Sequence, residues 1–217
     1  MLNFPKSTEF GKKIPKEKIY SRLEMKTAMK RYFIEDIEQI VWRYKLAPST
    51  LNVSAGINVL EIDVLEINLK RKDYAQTVFE FIDKNLPHHT VFMLSCGSEV
   101  QLLINYKEAI ENRAGKFKIT ANYKTDWKPL DQIQLTIDGL NMDKVYESFV
   151  AQVAGTKLKV EAHETVKDAI LQAQLKLMLE KEINALESKL YNEKQFNVQL
   201  KISTQLKELK NQLSELT

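Results

Sequence analysis

A single cysteine, Cys96, stands in a chain of 217 residues, so no disulfide can close within it and a reducing compartment is the natural setting. It ends an apolar run and reads as a small packed hydrophobe. Glycine and proline are scarce, six and five residues, and neither occurs after Gly155. The scattered glycines exclude a P-loop, which clusters glycine where a strand turns into a helix. Three histidines without Cys-X-X-Cys or His-X-X-X-His spacing give zinc no framework. His88 and His89 follow Pro87 and read as a surface turn, with His163 far off in sequence. No stretch approaches the roughly 18 apolar residues of a membrane span, and the N-terminus lacks a signal-peptide run. The expected protein is soluble and cytoplasmic, off the membrane, with no metal and no cofactor.

What charge there is lies unevenly. The net charge is only +3, too small to argue for a nucleic-acid binder from the total. Residues 1–31, however, carry nine basic side chains against three glutamates, whereas the chain after His163 has eight of each sign. A basic head is thus joined to a neutral tail.

Residues 1–14 read as an extended basic arm. Pro15 suits the first position of a short helix, with Ile19, Tyr20 and Leu23 inward. A second helix is expected over residues 26–37, burying Ala28, Met29, Tyr32, Phe33 and Ile37. From Ile40 the period changes to two: Ile40, Trp42, Tyr44 and Leu46 alternate with Val41, Arg43 and Lys45, and Pro48 stops the strand. A long strand over residues 57–69, apolar on both faces, should be central. A helix over 74–85 with Tyr74, Val78, Phe81 and Ile82 inward follows, then strands over 90–95, 99–106, 117–123 and 133–137. A last body helix, 142–153, presents Val145, Phe149 and Val153 on one side. Gly-containing turns between strands point to a mixed, largely antiparallel sheet with flanking helices, an α+β domain over residues 15–156.

Residues 157–217 form a helical tail of coiled-coil character. Leu171, Leu175 and Met178, then Ile183, Leu186 and Leu190, recur at steps of three and four, as do Ile202, Leu206, Leu209, Leu213 and Leu216. The phase breaks at YNEKQFN, Tyr191 to Asn197. An unbroken helix would be roughly 80 Å long, about twice the diameter of the body. Either it overhangs the body or it folds back as a hairpin, with Asn192 and Asn197 suited to the turn. The apolar seam makes Leu186, Leu190, Phe196, Leu206, Leu209, Leu213 and Leu216 candidates for gripping another helix, a partner's or a second copy's.

Chemistry is less legible. Asp63, Glu66 and Lys70 on the central strand resemble the acid and Glu-X-Lys set of PD-(D/E)XK nucleases, which holds Mg²⁺ beside the attacked phosphate. Glu61 and Asp63 are two apart and share a face, but Glu66 falls opposite, and Asn68 stands where that pattern requires lysine. A divergent nuclease is therefore the alternative, and a non-catalytic role the main expectation. For DNA contact the candidates are Lys12, Lys13, Lys30 and Arg31 of the basic head, with Arg43 and Lys45 opposite Trp42 and Tyr44.

PKSTE at Pro5 to Glu9, IPK at Ile14 to Lys16 and WRYKLAPSTLN at Trp42 to Asn52 carry a family resemblance. IDK at Ile82 to Lys84, TDW at Thr125 to Trp127 and EKQFN at Glu193 to Asn197 extend it over the whole chain. The sequence resembles a bacterial domain of unknown function, number forty-three ninety-one. That resemblance implies no catalytic residues. It implies a setting: small companions of DNA methyltransferases and helicase-type restriction subunits. The combined expectation is an accessory subunit of a restriction-modification or phage-defence assembly. Its tail would bind a protein partner (a methyltransferase or helicase-type subunit, or another copy), and its basic N-terminal region would contact DNA.

Overall fold

The computed structural model describes residues 2–23, 25–111, 113, 115–161 and 164–216, the side chains of residues 20 and 22 excepted. The inward placing of Tyr20, the position of His163 and the end of the tail at Thr217 lie outside the described residues. Two compact units are present, residues 1–157 and residues 158–217.

The first unit is built on a seven-stranded mixed sheet. Its strands are β1 (Glu9–Ile14), β2 (Ile37–Leu46), β3 (Ile62–Leu69), β4 (His89–Cys96), β5 (Glu99–Ala109), β6 (Phe117–Lys124) and the short β7 (Lys128–Pro129). They lie side by side in chain order from β1 to β6, and β7 pairs with β5. Only β3 and β4 run parallel, which demands a crossover. The helix α4 (Gln76–Asn85) supplies it. Two further helices precede β2, α1 (Lys16–Arg22) and α2 (Thr27–Asp36); α3 (Pro48–Leu51) follows it, and α5 (Met142–Ala154) comes after the sheet.

Side-chain parity on β3 divides the core. Leu65, Ile67 and Leu69 pack with Phe33, Val78, Phe79 and Ile82 under α2 and α4. Ile62 and Val64 are buried on the other face. There Phe4 meets Tyr44 at 5.1 Å and stacks on Phe149 of α5 at 5.8 Å. The N-terminal stretch is consequently no free arm. Leu2 and Phe4 are buried, the Tyr44 hydroxyl donates to the Leu2 carbonyl at 3.1 Å, and β1 pairs antiparallel with β2.

Three local departures from the sequence expectations have identifiable causes. Residues 57–61 do not join β3, because the Asp143 carboxylate accepts the N–H groups of Ile57, Asn58 and Val59 at 2.7, 3.0 and 2.7 Å. The clamp needs glycine at 56, where a Cβ would lie 2.4 Å from Asp143 Oδ1. Residues 133–137 are not a strand, although Ile133 and Leu135 are buried. The Gln152 side chain takes the pairing, accepting from Thr136 N and donating to Thr136 O. On α2 the buried positions are Phe33 and Asp36, while Ala28 and Tyr32 face solvent. The Asp36 carboxylate receives Arg71 and the Ala75 N–H, fixing the turn between β3 and α4.

The C-terminus of α4 is held by a buried ion pair. Lys107 and Asp83 have fully buried side chains 2.7 Å apart. The same ammonium donates to the carbonyls of Asp83 and His88, each at 2.7 Å. Asn105 Nδ2 donates to Asp83 Oδ2, and the Tyr146 hydroxyl of α5 donates to the Asn105 carbonyl. Burial pushes Asp83 up and Lys107 down from their ordinary values, and each charge partly restores the other. His89 is no surface turn. It opens β4 in the core, 4.4 Å from the Tyr146 ring and 5.4 Å from that of Phe117.

The second unit is a helical hairpin of α6 (Val166–Asn192) and α7 (Phe196–Glu215). Ile183, Ile202 and Leu206 form its core, with Leu186, Leu190, Val198, Leu209 and Leu213 packed against them. Lys210 pairs with Glu187 across the seam. At 1.5 Å per residue α6 is about 40 Å long and α7 about 30 Å. No left-handed residue makes the bend: Glu193 and Gln195 are extended. The Glu193 carboxylate accepts the N–H groups of Lys194 and Gln195. Gln199 in turn donates to the Glu193 carbonyl at 2.7 Å.

Removing Lys107 strands a buried carboxylate and the carbonyls it serves. Lys107→Met is expected to cost about 3–5 kcal/mol of unfolding free energy. Asp83→Asn should cost less, because the amide keeps an acceptor; urea denaturation of the two variants measures the difference.

Candidate functional site

The pairing of β2 with β3 slips by one residue between Trp42 and Tyr44, a bulge at Arg43. Strict alternation would place Arg43 and Lys45 together. Arg43 keeps the α5 side, where it pairs with Glu66, and the bulge turns Lys45 to the α4 side. Trp42, Lys45, Asp63 and Leu65 therefore share one face. Lys45 Nζ lies 5.8 Å from the Trp42 ring centroid and 2.8 Å from Glu61 Oε2.

This face borders a cavity of about 410 Å³ between β1, α1 and the C-terminal end of α4. Ile14, Leu65, Ile82 and Leu86 make much of its lining, with Trp42 at one side. Lys12, Lys13 and Lys18 also line it and are themselves exposed. Asp63 and His88 supply the remaining polar lining. Asp63 is 6% exposed; its Oδ1 and Oε1 of Glu61 are buried without a donor from any other described residue, and the two carboxyls hydrogen-bond to each other. The His88 ring stands 3.8 Å from Glu61 Oε1.

Electrostatics at this carboxyl pair are set by dehydration. Burial pushes Asp63 up to about 8, and the charge and hydrogen bond of Glu61 push the same way; Lys45 and Lys107 oppose them. Near neutral pH Asp63 therefore largely keeps its proton. The hydrogen bond from Lys45 to Glu61 raises the lysine in turn. Such a pair can hold a proton at the wall of the cavity. Among the described residues no group of three or more His, Cys, Asp or Glu is placed to hold a metal.

The residues singled out in the sequence scatter. Asp63 and Glu66 lie on opposite faces of β3, and Lys70, beyond its end, donates to the Ile34 carbonyl at 3.0 Å. Asp63, Glu66 and Lys70 thus do not converge. Of the basic candidates, Lys12, Lys13 and Lys45 come to the cavity or its border, while Arg43 is on the other face of the sheet. Arg31 pairs with Glu35 at 3.2 Å, and Lys30 is exposed on α2. In the tail, Leu186, Leu190, Leu206, Leu209 and Leu213 are occupied by the hairpin seam; Leu216 is half-buried, and Phe196 is 74% exposed at the bend. Sequence reasoning missed Lys45, Glu61 and His88 as neighbours. The spacing of Glu61 and Asp63 was the available signal, but nothing in the sequence marks the bulge that brings Lys45 to them.

Asp63 ordinarily titrates near 3.8, so up to about 8 the folded chain keeps a proton that the unfolded chain has released. That contribution to stability is full below the ordinary value and is lost as pH rises through the folded one, by about 1.4 kcal/mol per pH unit. His89 acts oppositely. Burial lowers it from 6.5 to about 3, so its contribution is lost only as pH falls below 6.5. The interval from pH 6.5 to 8 is thus where Asp63 acts without His89. Urea unfolding should show stability declining across it, and Asp63→Asn should flatten that decline; an unchanged slope would place the proton elsewhere.

No curated protein and no solved structure is significantly similar to the chain. The family described as Domain of unknown function (DUF4391) matches residues 2–213, which spans the sheet, the cavity and nearly all of the hairpin. By that match, the chain belongs to this family.

Proposed function

We propose that this protein is a non-catalytic accessory subunit of a bacterial DNA restriction-modification or phage-defence assembly. It grips a larger protein through its helical hairpin and meets DNA along the basic edge of its sheet. The DNA-handling setting extends the family resemblance, and the exposed lysines of β1 support it.

One observation carries the partner half. Closing the hairpin consumes the Ile183–Ile202–Leu206 seam, yet Leu171, Leu175 and Met178 remain 52%, 46% and 69% exposed. Their spacing of four and three puts them on one stripe of α6, and Leu177 beside them is also exposed. Fully burying a side chain of this kind contributes about 1.5–3 kcal/mol. The stripe therefore offers several kcal/mol to whatever covers it, and a contiguous apolar stripe on a helix is the usual anchor of helix-in-groove binding. Metal-dependent cleavage through Asp63, Glu66 and Lys70 draws no support from the geometry, because the three side chains do not meet.

Leu175→Glu combined with Met178→Glu should weaken capture of the native methyltransferase or helicase-type subunit by about a hundredfold. Helicity and thermal midpoint should change little, since both side chains are exposed. A homodimer in light scattering that the substitutions dissociate would replace the foreign partner by a second copy. Undiminished capture by the variant would overturn the partner role of this stripe.

A further inference from the structure

We infer that the cavity between β1, α1 and the C-terminal end of α4 takes a single-chain aliphatic carboxylate: the chain lies against the apolar wall, and the head group meets Lys12, Lys13 and Lys18 at the rim. This site is independent of the accessory role proposed above.

Three observations select the occupant. The cavity, about 410 Å³, lies in the range of small-ligand sites, and its wall is mainly branched aliphatic: Ile14, Ile19, Leu23, Leu65, Ile82 and Leu86. The more polar side chains of that wall are already engaged. Oδ1 of Asp63 is buried, and its carboxyl hydrogen-bonds to Glu61. The Trp42 ring packs on Phe10 at 4.5 Å, lies beneath the Lys45 ammonium at 5.8 Å, and donates its N–H to the Tyr44 carbonyl at 3.1 Å. Asp63 and Trp42 thus leave a ligand little to hydrogen-bond or to stack on, which suits a body without polar atoms. At the rim, Lys12, Lys13 and Lys18 are exposed and have no ion-pair partner among the described residues. Their charge calls for an anion. Lysine stems can lie along apolar surface while the ammonium stays in water, so the same side chains serve a wet head and a dry chain.

Other occupants fit less well. A bare anion would leave the aliphatic wall in water. A peptide would carry amide groups against a wall that supplies few partners for them, at a cost for each one left unpaired. A saturated chain carries none, and it gains with every methylene that it buries.

Calorimetric titration of the full chain with hexanoate, octanoate and decanoate tests the wall. Affinity should rise about three- to fourfold per added methylene. Decyltrimethylammonium, a cation of equal chain length, should bind at least about tenfold more weakly than decanoate. Lys12→Glu with Lys13→Glu, both on the surface, should cost decanoate about tenfold while leaving the circular dichroism unchanged. Leu175→Glu with Met178→Glu, which removes the exposed stripe of α6, should leave decanoate affinity as it was. Affinity indifferent to chain length would overturn the role of the wall. A cation held as tightly as decanoate, or indifference to the lysine pair, would overturn the role of the rim. Loss of binding in the α6 variant would move the ligand to the hairpin, and no decanoate binding at all would remove the site.

Discussion

One buried ammonium organises the first unit. Lys107 reaches from β5 to the last turn of α4, neutralises Asp83 and donates to the Asp83 carbonyl there and to the His88 carbonyl beyond the helix. A charge at that depth is tolerable only because each of its directions ends on an oxygen. With α4 pinned at its C-terminus, the chain can turn at Pro87 and enter β4 beside β3, parallel to it. The parallel pair, the crossover and the cavity lining at Ile82, Leu86 and His88 all follow from this anchorage. His89 and Tyr146 pack around the same centre, so α5 on the opposite face is tied to it as well.

Periodicity carried most of the fold to the page. The alternation from Ile40, the apolar β3 and the Val145–Phe149–Val153 stripe all describe elements that are present. What periodicity cannot carry is pairing by side chains. Asp143 peels residues 57–59 off β3, and Gln152 substitutes for a neighbouring strand at Thr136. Both effects come from residues more than ten positions away, and no local window contains them. The site suffered in the same way. A one-residue slip at Arg43 exchanges the faces of every residue after it on β2. For that reason Lys45 stands with Trp42 and Asp63, where simple alternation would have kept them apart. The tail was better specified. Its phase break at Tyr191 to Asn197 coincides with the bend, although the turn uses Glu193 as a side-chain cap and not an asparagine in a left-handed conformation.

The two units use apolar surface in opposite ways. In the first, the central strand is buried on both faces, and the most exposed large apolar side chains, Ile57, Leu60 and Leu140, lie in connecting segments. In the second, two helices satisfy each other along one stripe and leave another in water. The hairpin closes on Ile183, Ile202 and Leu206, and Leu171, Leu175 and Met178 are left outside that contact, so substitutions on the exposed stripe should leave the seam intact.

The outermost strand of the sheet has a further consequence. On one side β1 is hydrogen-bonded to β2, and its other side ends the sheet. An open edge of this kind invites a stray strand from another molecule. Lys12 and Lys13 set positive charge along that margin, and the left-handed Gly11 with its pairing irregularity breaks the straight run of backbone that an intruder would need. Charge and a broken backbone thereby guard the same margin, and neutralising those ammonium groups would unguard the border of the sheet.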